Sequence, residues 1–336
     1  MANLKELRNR ISSVSSTMQI TSAMKMVSAA KLKRSQDAIV QMRPYAEKLG
    51  VLMANVSATL DASENPFAVQ RPLRRVLVVP VTANRGLCGA FNSSVLKRTK
   101  LVMDALEAQG VAVDLFALGK KGRDQLRKLD NLAGSEIDVV ANVTFDGARA
   151  LAENAMNGFL DGTYDQVIVV YNQFKNAAVQ MVRDEVVLPI PQPDSAPSSD
   201  YLFEPNKADL LNSLIPTHIH MQFFKALLDS QASEHGARMT AMHKATDNAK
   251  SMRDGLKLQY NKARQAAITN EILEIVGGAE ALNGEAPLRF CFFRLLREPV
   301  FFGGGPIAAP GLSWSDERTR TLRPRSRRSA GRHASV

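Results

Sequence analysis

The sequence predicts an α/β protein in which a long antiparallel two-helix coiled coil, made by the N- and C-terminal helices, flanks an inserted small α/β domain with a mostly parallel sheet. Three observations predict it. Apolar residues recur in alternating steps of three and four over long stretches at both ends of the chain, which is the period of a coiled-coil seam. Between those stretches, short runs rich in branched residues alternate with helical ones, the pattern of a layered domain with parallel strands. Polar, Pro-punctuated segments at Asp61–Pro72 and Pro189–Asp200 separate the two textures. The resulting partition is a first helix over 1–60, a linker over 61–74, the inserted domain over 75–200, a second helix over 201–282 and an atypical basic tail over 283–336.

In the first helix, Leu4, Leu7, Ile11, Val14 and Met18 form one row, and Ile39, Met42, Ala46, Leu49, Met53, Val56 and Leu60 form a second. Between them, Ile20–Arg34 (ITSAMKMVSAAKLKR) is rich in Ala and Ser, so its seam is small. Pro44 lacks an N–H donor and predicts a kink. Asn3–Leu60 would reach about 85 Å at 1.5 Å per residue. A helix of that length cannot bury its stripe alone, and the C-terminal helix, running antiparallel, is the obvious partner.

The domain begins with Arg75–Val81 (RVLVVPV), followed by Val111–Leu118 and Asp165–Phe174 as buried strands. Val179–Leu188 reads as a last strand in a hairpin with the one before it. Helices are expected near Phe91–Gln109, Lys120–Lys128 and Asp146–Leu160. Pro216 is expected to open the main helix at its first turn, giving an unbroken rod over His218–Val276 of about 90 Å. Gly277 and Gly278 should then end it. From Met242 its seam runs through Ala245, Ala249, Met252, Leu256, Gln259, Ala263, Ala266, Asn270 and Leu273. That seam is weak, with alanines and amides where leucines would pack best.

Composition narrows the function classes. The chain has 336 residues, 45% hydrophobic, enough to build a real core. Only two cysteines occur, Cys88 and Cys291, so no disulfide framework is implied and a reducing compartment fits. No apolar run approaches the ~20 residues of a membrane span, and the N-terminal MANLKELRNRISS has no signal-peptide core. The net charge of +10 is made largely by residues 283–336, with ten Arg against four acids. Residues 1–50 are also basic, a solvated face or one suited to nucleic acid or an acidic protein surface.

One turn invites an enzymatic reading. The first strand leads into TANRGLCGAFN at 82–92 and then a helix, a place where backbone N–H groups can cradle phosphate. Neither GxxxxGK[ST] nor GxGxxG is present, so the signal is weak. Cys88 would need a basic partner to act as a nucleophile, and all five histidines (218, 220, 235, 243 and 333) lie outside the domain. Gly86 and Gly89 then simply permit a tight turn. No paired carboxylates and no metal-ligand spacing stand out, and no cofactor is implied.

Four segments carry a resemblance: ITSAMKMVSAAKLKR at 20–34, RGLCGAFN at 85–92, ASEHGARMTAMHKATDNA at 232–249 and YNKARQAAITNEILEIVGGAEAL at 260–282. In order and spacing they closely resemble the gamma subunit of bacterial F-type ATP synthase. The resemblance implies a rotor shaft inside the ring of alternating alpha and beta subunits, with the α/β domain at its foot against the epsilon subunit and the membrane ring of c subunits. It implies one copy per complex, a peripheral position on the cytoplasmic face of the bacterial inner membrane, and no catalytic site in this chain. It also places rotor–stator contacts at Met24 with its neighbour Lys25, at Cys88 in the GLCG turn, and at Arg238, Arg264, Gln265, Thr269 and Glu271. A charge introduced at Met24 should impair coupling.

The tail departs from the family, whose chains stop near Ala281–Leu282. It reads as disordered, as a functional extension or, preferred, as the translation of a shifted frame. Two other classes stay open on the residues alone. One is a static coiled-coil scaffold whose basic ends bind nucleic acid. The other is a small α/β enzyme centred on Cys88.

Overall fold

The computed structural model describes residues 4–58, 66–129, 131–177, 179–190 and 207–283. Expectations about the linker before residue 66, the loop after Ile190 and the basic tail beyond Asn283 fall outside the described residues. In chain order the elements are α1 (Leu4–Ala58), β1 (Arg75–Pro80), α2 (Phe91–Glu107), β2 (Ala112–Leu118), α3 (Lys120–Leu126), β3 (Leu132–Glu136), α4 (Asp138–Ala141), α5 (Phe145–Leu160), β4 (Gln166–Phe174), β5 (Gln180–Leu188) and α6 (Lys207–Asn283). No helix among them is long and apolar enough to cross a membrane. Two compact units divide the chain, Met1–Thr269 and Asn270–Val336.

In the first unit α1 and α6 run antiparallel, as expected. Partner numbers fall along α6 as they rise along α1. Arg8 Nη2 donates to the Tyr260 hydroxyl at 3.0 Å, Arg253 Nη1 lies 3.7 Å from Met18 Sδ, Thr246 Oγ1 donates to Thr21 Oγ1 at 2.9 Å, and Ser35 Oγ donates to Gln231 Oε1 at 3.1 Å. The two rows expected on α1 prove to be one. Its steps of three and four continue through the gap as Thr21, Lys25, Ser28, Leu32 and Ser35, each buried or half-buried. Small and polar residues hid that continuity, because an apolar count skips them.

Beyond Ala249 the seam expected on α6 holds at Leu256 and Ala263 and moves by one residue between them and after. Arg253, Tyr260 and Ala267 face α1 in place of Met252, Gln259 and Ala266, which are exposed, Met252 by 60%; Asn270 and Leu273 are exposed too. Arg and Tyr have long apolar bodies that cover a seam while their polar tips stay wet. Hence Met252 was the more hydrophobic choice and the wrong one. α6 also starts earlier than Pro216, which lies inside it. The lost N–H bond, worth roughly 3 kcal/mol in a free helix, is offset by Ile215 and Ile219, both buried in the main core. Pro44 likewise sits inside α1. Gly277 and Gly278 do not end α6, which continues to Asn283; each costs only about 1 kcal/mol relative to Ala. In the second unit the described turns of α6 are exposed through Leu282.

The sheet has the order β3-β2-β1-β4-β5. All neighbours are parallel except β4 and β5, which form the expected antiparallel hairpin. Side chains alternate between its two faces. Leu77, Val79, Val167, Val169 and Tyr171 meet α5 and the Ile215–Leu227 part of α6. Val76, Val78, Val113, Leu115, Ile168 and Val170 meet α2 and α3. β3 and α4 have no counterpart in the sequence reading. β3 (LAGSE) is an edge strand without a fully buried residue, and Gly134 is needed there because a Cβ would come 2.7 Å from the Phe116 ring.

Candidate functional site

Strand order locates the site. From β1 the chain winds outward to β2 and β3 on one side, then returns to β4 on the other. In a doubly wound sheet the C-terminal ends of two such strands part and leave a crevice, the usual place for a ligand. Here the crevice lies between the 82–90 turn after β1 and the end of β4. α6 fills it.

The turn is built by its own polar side chains. Asn92 Oδ1 accepts from the Ala83 amide at 2.9 Å, and Asn84 Nδ2 donates to the Ile137 carbonyl at 2.9 Å. Thr82 Oγ1 donates to the Leu118 carbonyl and accepts from the Gly122 amide, both at 2.8 Å. Gly119 completes the junction at φ 94°, where a Cβ would fall 2.2 Å from the Thr82 carbonyl oxygen. Leu87 takes a left-handed φ of 63° and projects outward, 65% exposed. Cys88 points inward, 2% exposed, against Ala83, Phe91 and Ala237.

From α6, Ser233 Oγ donates to the Asn172 carbonyl of β4 at 3.0 Å, and Thr240 Oγ1 to the Ala177 carbonyl at 3.1 Å. Gly236 lets the helix approach, since a Cβ there would sit 3.3 Å from Ala177 Cα. Arg238 reaches the turn. Its Nη2 donates to the Arg85 carbonyl at 3.1 Å and the Gly86 carbonyl at 3.4 Å, and its Nη1 pairs with Glu234 Oε1 at 2.7 Å. Arg238 is only 8% exposed.

Burial sets the charges. It pushes the Glu234 carboxyl above the usual carboxylate range, with the Arg238 guanidinium opposing. Burial and the Arg238 charge push His235 down to about 4. The ring is therefore neutral, and its Nδ1, 3.4 Å from Arg238 Nη1, is the accepting nitrogen. The Cys88 thiol is raised first by burial, with Arg238 opposing. A thiol kept protonated is a poor nucleophile, and among the described residues the only side chain bonded to it is Asn92, whose Nδ2 donates at 3.2 Å. The arrangement can hold two elements together; it cannot activate Cys88.

Met24, Gly86, Leu87 and Arg238 line one cavity of about 570 Å³, although 214 residues of sequence separate Met24 from Arg238. Cys88 lies directly beneath that turn. Ile20 and Val27 add exposed apolar side chains on the α1 side. Lys25 is half-buried on the α1 seam. Arg264, Gln265 and Thr269 are exposed further along α6, where Thr269 Oγ1 donates to the Gln265 carbonyl at 2.9 Å. Glu271, also exposed, belongs to the second unit. Ser233, Glu234 and Asn92 escaped the sequence reading, which set His235 apart from the turn because it lies outside the domain; α6 brings it back, beside Arg238. The signal for two of them was present: Glu234 and Arg238 stand four apart on a helix.

A family model described as ATP synthase matches residues 3–282. The ATP synthase gamma chain of Flavobacterium johnsoniae is 58% identical over 288 residues, covering 84% of this chain and 100% of that protein. That of Flavobacterium psychrophilum is 59% identical with the same coverage. Among solved structures, the central stalk and c-ring of the Tetrahymena thermophila mitochondrial ATP synthase matches at 28% identity and a TM-score of 0.52, over 67% of this chain and 99% of that one. A chain of the Euglena gracilis mitochondrial ATP synthase, in its OSCP/F1/c-ring structure, shares the fold with a TM-score of 0.62 at 22% identity, over 85% and 97%.

Proposed function

The chain belongs to the ATP synthase gamma-chain family, and from that membership we propose that it is the central rotor shaft of a proton-translocating F-type synthase. It couples rotation of the c-subunit ring to conformational change at catalytic sites held by the alpha and beta subunits. One copy serves each complex, with the epsilon subunit beside it, peripheral to the cytoplasmic face of the bacterial inner membrane. The shaft has no catalytic site or cofactor of its own. Family membership sets aside the static nucleic-acid scaffold.

The observation that carries this reading is the filled crevice. A rotor must pass torque from its foot to its axle, and the foot here holds the axle by buried, charge-assisted bonds rather than by surface contacts. Arg238, Glu234 and Ser233 tie α6 to both sides of the sheet's parting point. Along the coiled coil the design reverses. Small seam residues keep two helices close, and at Arg264, Gln265 and Thr269 the exposed face is polar, where a large apolar anchor would act as a binding hot spot and favour one angle; exposed apolar side chains such as Ile20, Val27, Met252 and Leu258 stand elsewhere along the pair. Each orientation then needs only to favour a different state of a bistable neighbour. Met24, Leu87 and the cavity beside them are the proposed contact with that neighbour, with Arg264, Gln265, Thr269 and Glu271 further along.

Reconstitution with bacterial alpha and beta subunits tests the proposal. Mixtures containing this chain should gain ATPase turnover and rotation of a probe fixed to the α/β domain. An assembled complex without either would defeat it.

A further inference from the structure

Away from the crevice, α1, β4 and α6 enclose a second cavity of about 520 Å³. Ile39, Met42 and Met221 give it apolar walls, and Gly50 leaves it open space. Its polar lining contains one acceptor that lacks a donor. Gln222 is engaged with His218, their Nε2 atoms 3.1 Å apart. Asp229 is only 4% exposed, and among the described residues no donor hydrogen-bonds its carboxylate.

We propose that this cavity binds a small organic amine, whose ammonium group donates to the Asp229 carboxylate while its carbon chain lies on Met42 and Met221. A buried acceptor left unmatched costs roughly 1–3 kcal/mol, so a ligand that supplies donors recovers that penalty. The charges agree. Glu47 and Asp229 in the lining, with Glu185 on β5 3.6 Å from Lys225, make three carboxylates. Arg43 on α1 and Lys225 on α6 make two cations; Gln173 on β4 is neutral, and burial lowers the pKa of His218. No group of side chains suited to a metal ion occurs among the described residues, and the apolar walls favour a ligand with carbon. Burial pushes Asp229 up to about 6, with Lys225 and Arg43 opposing; the amine therefore needs a pH above that to meet a carboxylate.

The test is calorimetric titration of the full chain with butylammonium chloride at pH 8 and fixed ionic strength, beside butanol. It needs no partner subunits, so it stands apart from the rotor proposal. Saturable binding of the ammonium alone is expected, weakened about tenfold in Asp229→Asn, and weakened again as pH falls through 6. Circular dichroism melts establish that the variant folds. No saturable heat, equal binding of butanol, or unchanged binding in the folded variant would overturn the site.

Discussion

Arg238 bonds to two main-chain carbonyls and one carboxylate, so its removal has a definable cost. Arg238→Ala leaves the buried Glu234 charge unmatched, and urea unfolding should show a loss of about 3–5 kcal/mol. Adding Glu234→Gln should recover part of it. Cys88 predicts the opposite kind of result. Raised by burial and enclosed by Ala83, Phe91 and Ala237, it should resist iodoacetamide at neutral pH in the native chain and react freely once urea unfolds it; equal rates would show an accessible thiolate. Two groups oppose each other in acid. Asp229 is pushed up to about 6 from 3.8, so the folded state holds its proton more tightly; that stability is fully present below about 4 and is lost as pH rises to 6. His235 is pushed down to about 4 from 6.5, so its contribution is present above 6.5 and lost as pH falls toward 4. Each is worth about 3 kcal/mol, and they nearly cancel. Asp229→Asn should therefore expose a stability that rises with pH between 4 and 6, and His235→Gln one that falls; parallel profiles for both variants would refute the pairing.

At the scale of elements, the register of α6 against α1 is the sharpest claim. Leu256 is half-buried on the seam and Met252 is exposed. Leu256→Ala should lower the urea midpoint by an amount worth about 1–2 kcal/mol, and Met252→Ala by less than about 0.5; the reverse order would restore the register expected from hydrophobicity. The three-four period was legible in the chain because apolar residues mark it. Its phase was not, because Arg253 and Tyr260 present apolar bodies under polar names. The central strands were legible as branched runs buried on both faces. The edge strand β3 was not, since a half-exposed LAGSE has neither alternation nor bulk. Of the crevice, the turn could be read from its glycines. Its filling by α6 could not, because the antiparallel return of a distant helix, not any local pattern, brings Arg238 to Gly86.

For the whole molecule, mechanical performance should depend on where bulk is added. Leu or Phe at exposed Gln265 or Thr269 should slow turnover of a reconstituted complex with little change in the melting temperature of the isolated chain. Unchanged ATPase rates would remove the case for a deliberately smooth axle. Residues 283–336 lie beyond the match to relatives. Reconstitution with and without them asks whether they alter assembly or coupling. The crevice has one more consequence. Where related sheet architectures admit a nucleotide, this chain has put its own helix, bonded to Asn172, Arg85 and Ala177, so at that parting point the doorway through which an adenylate would enter is shut by the axle itself.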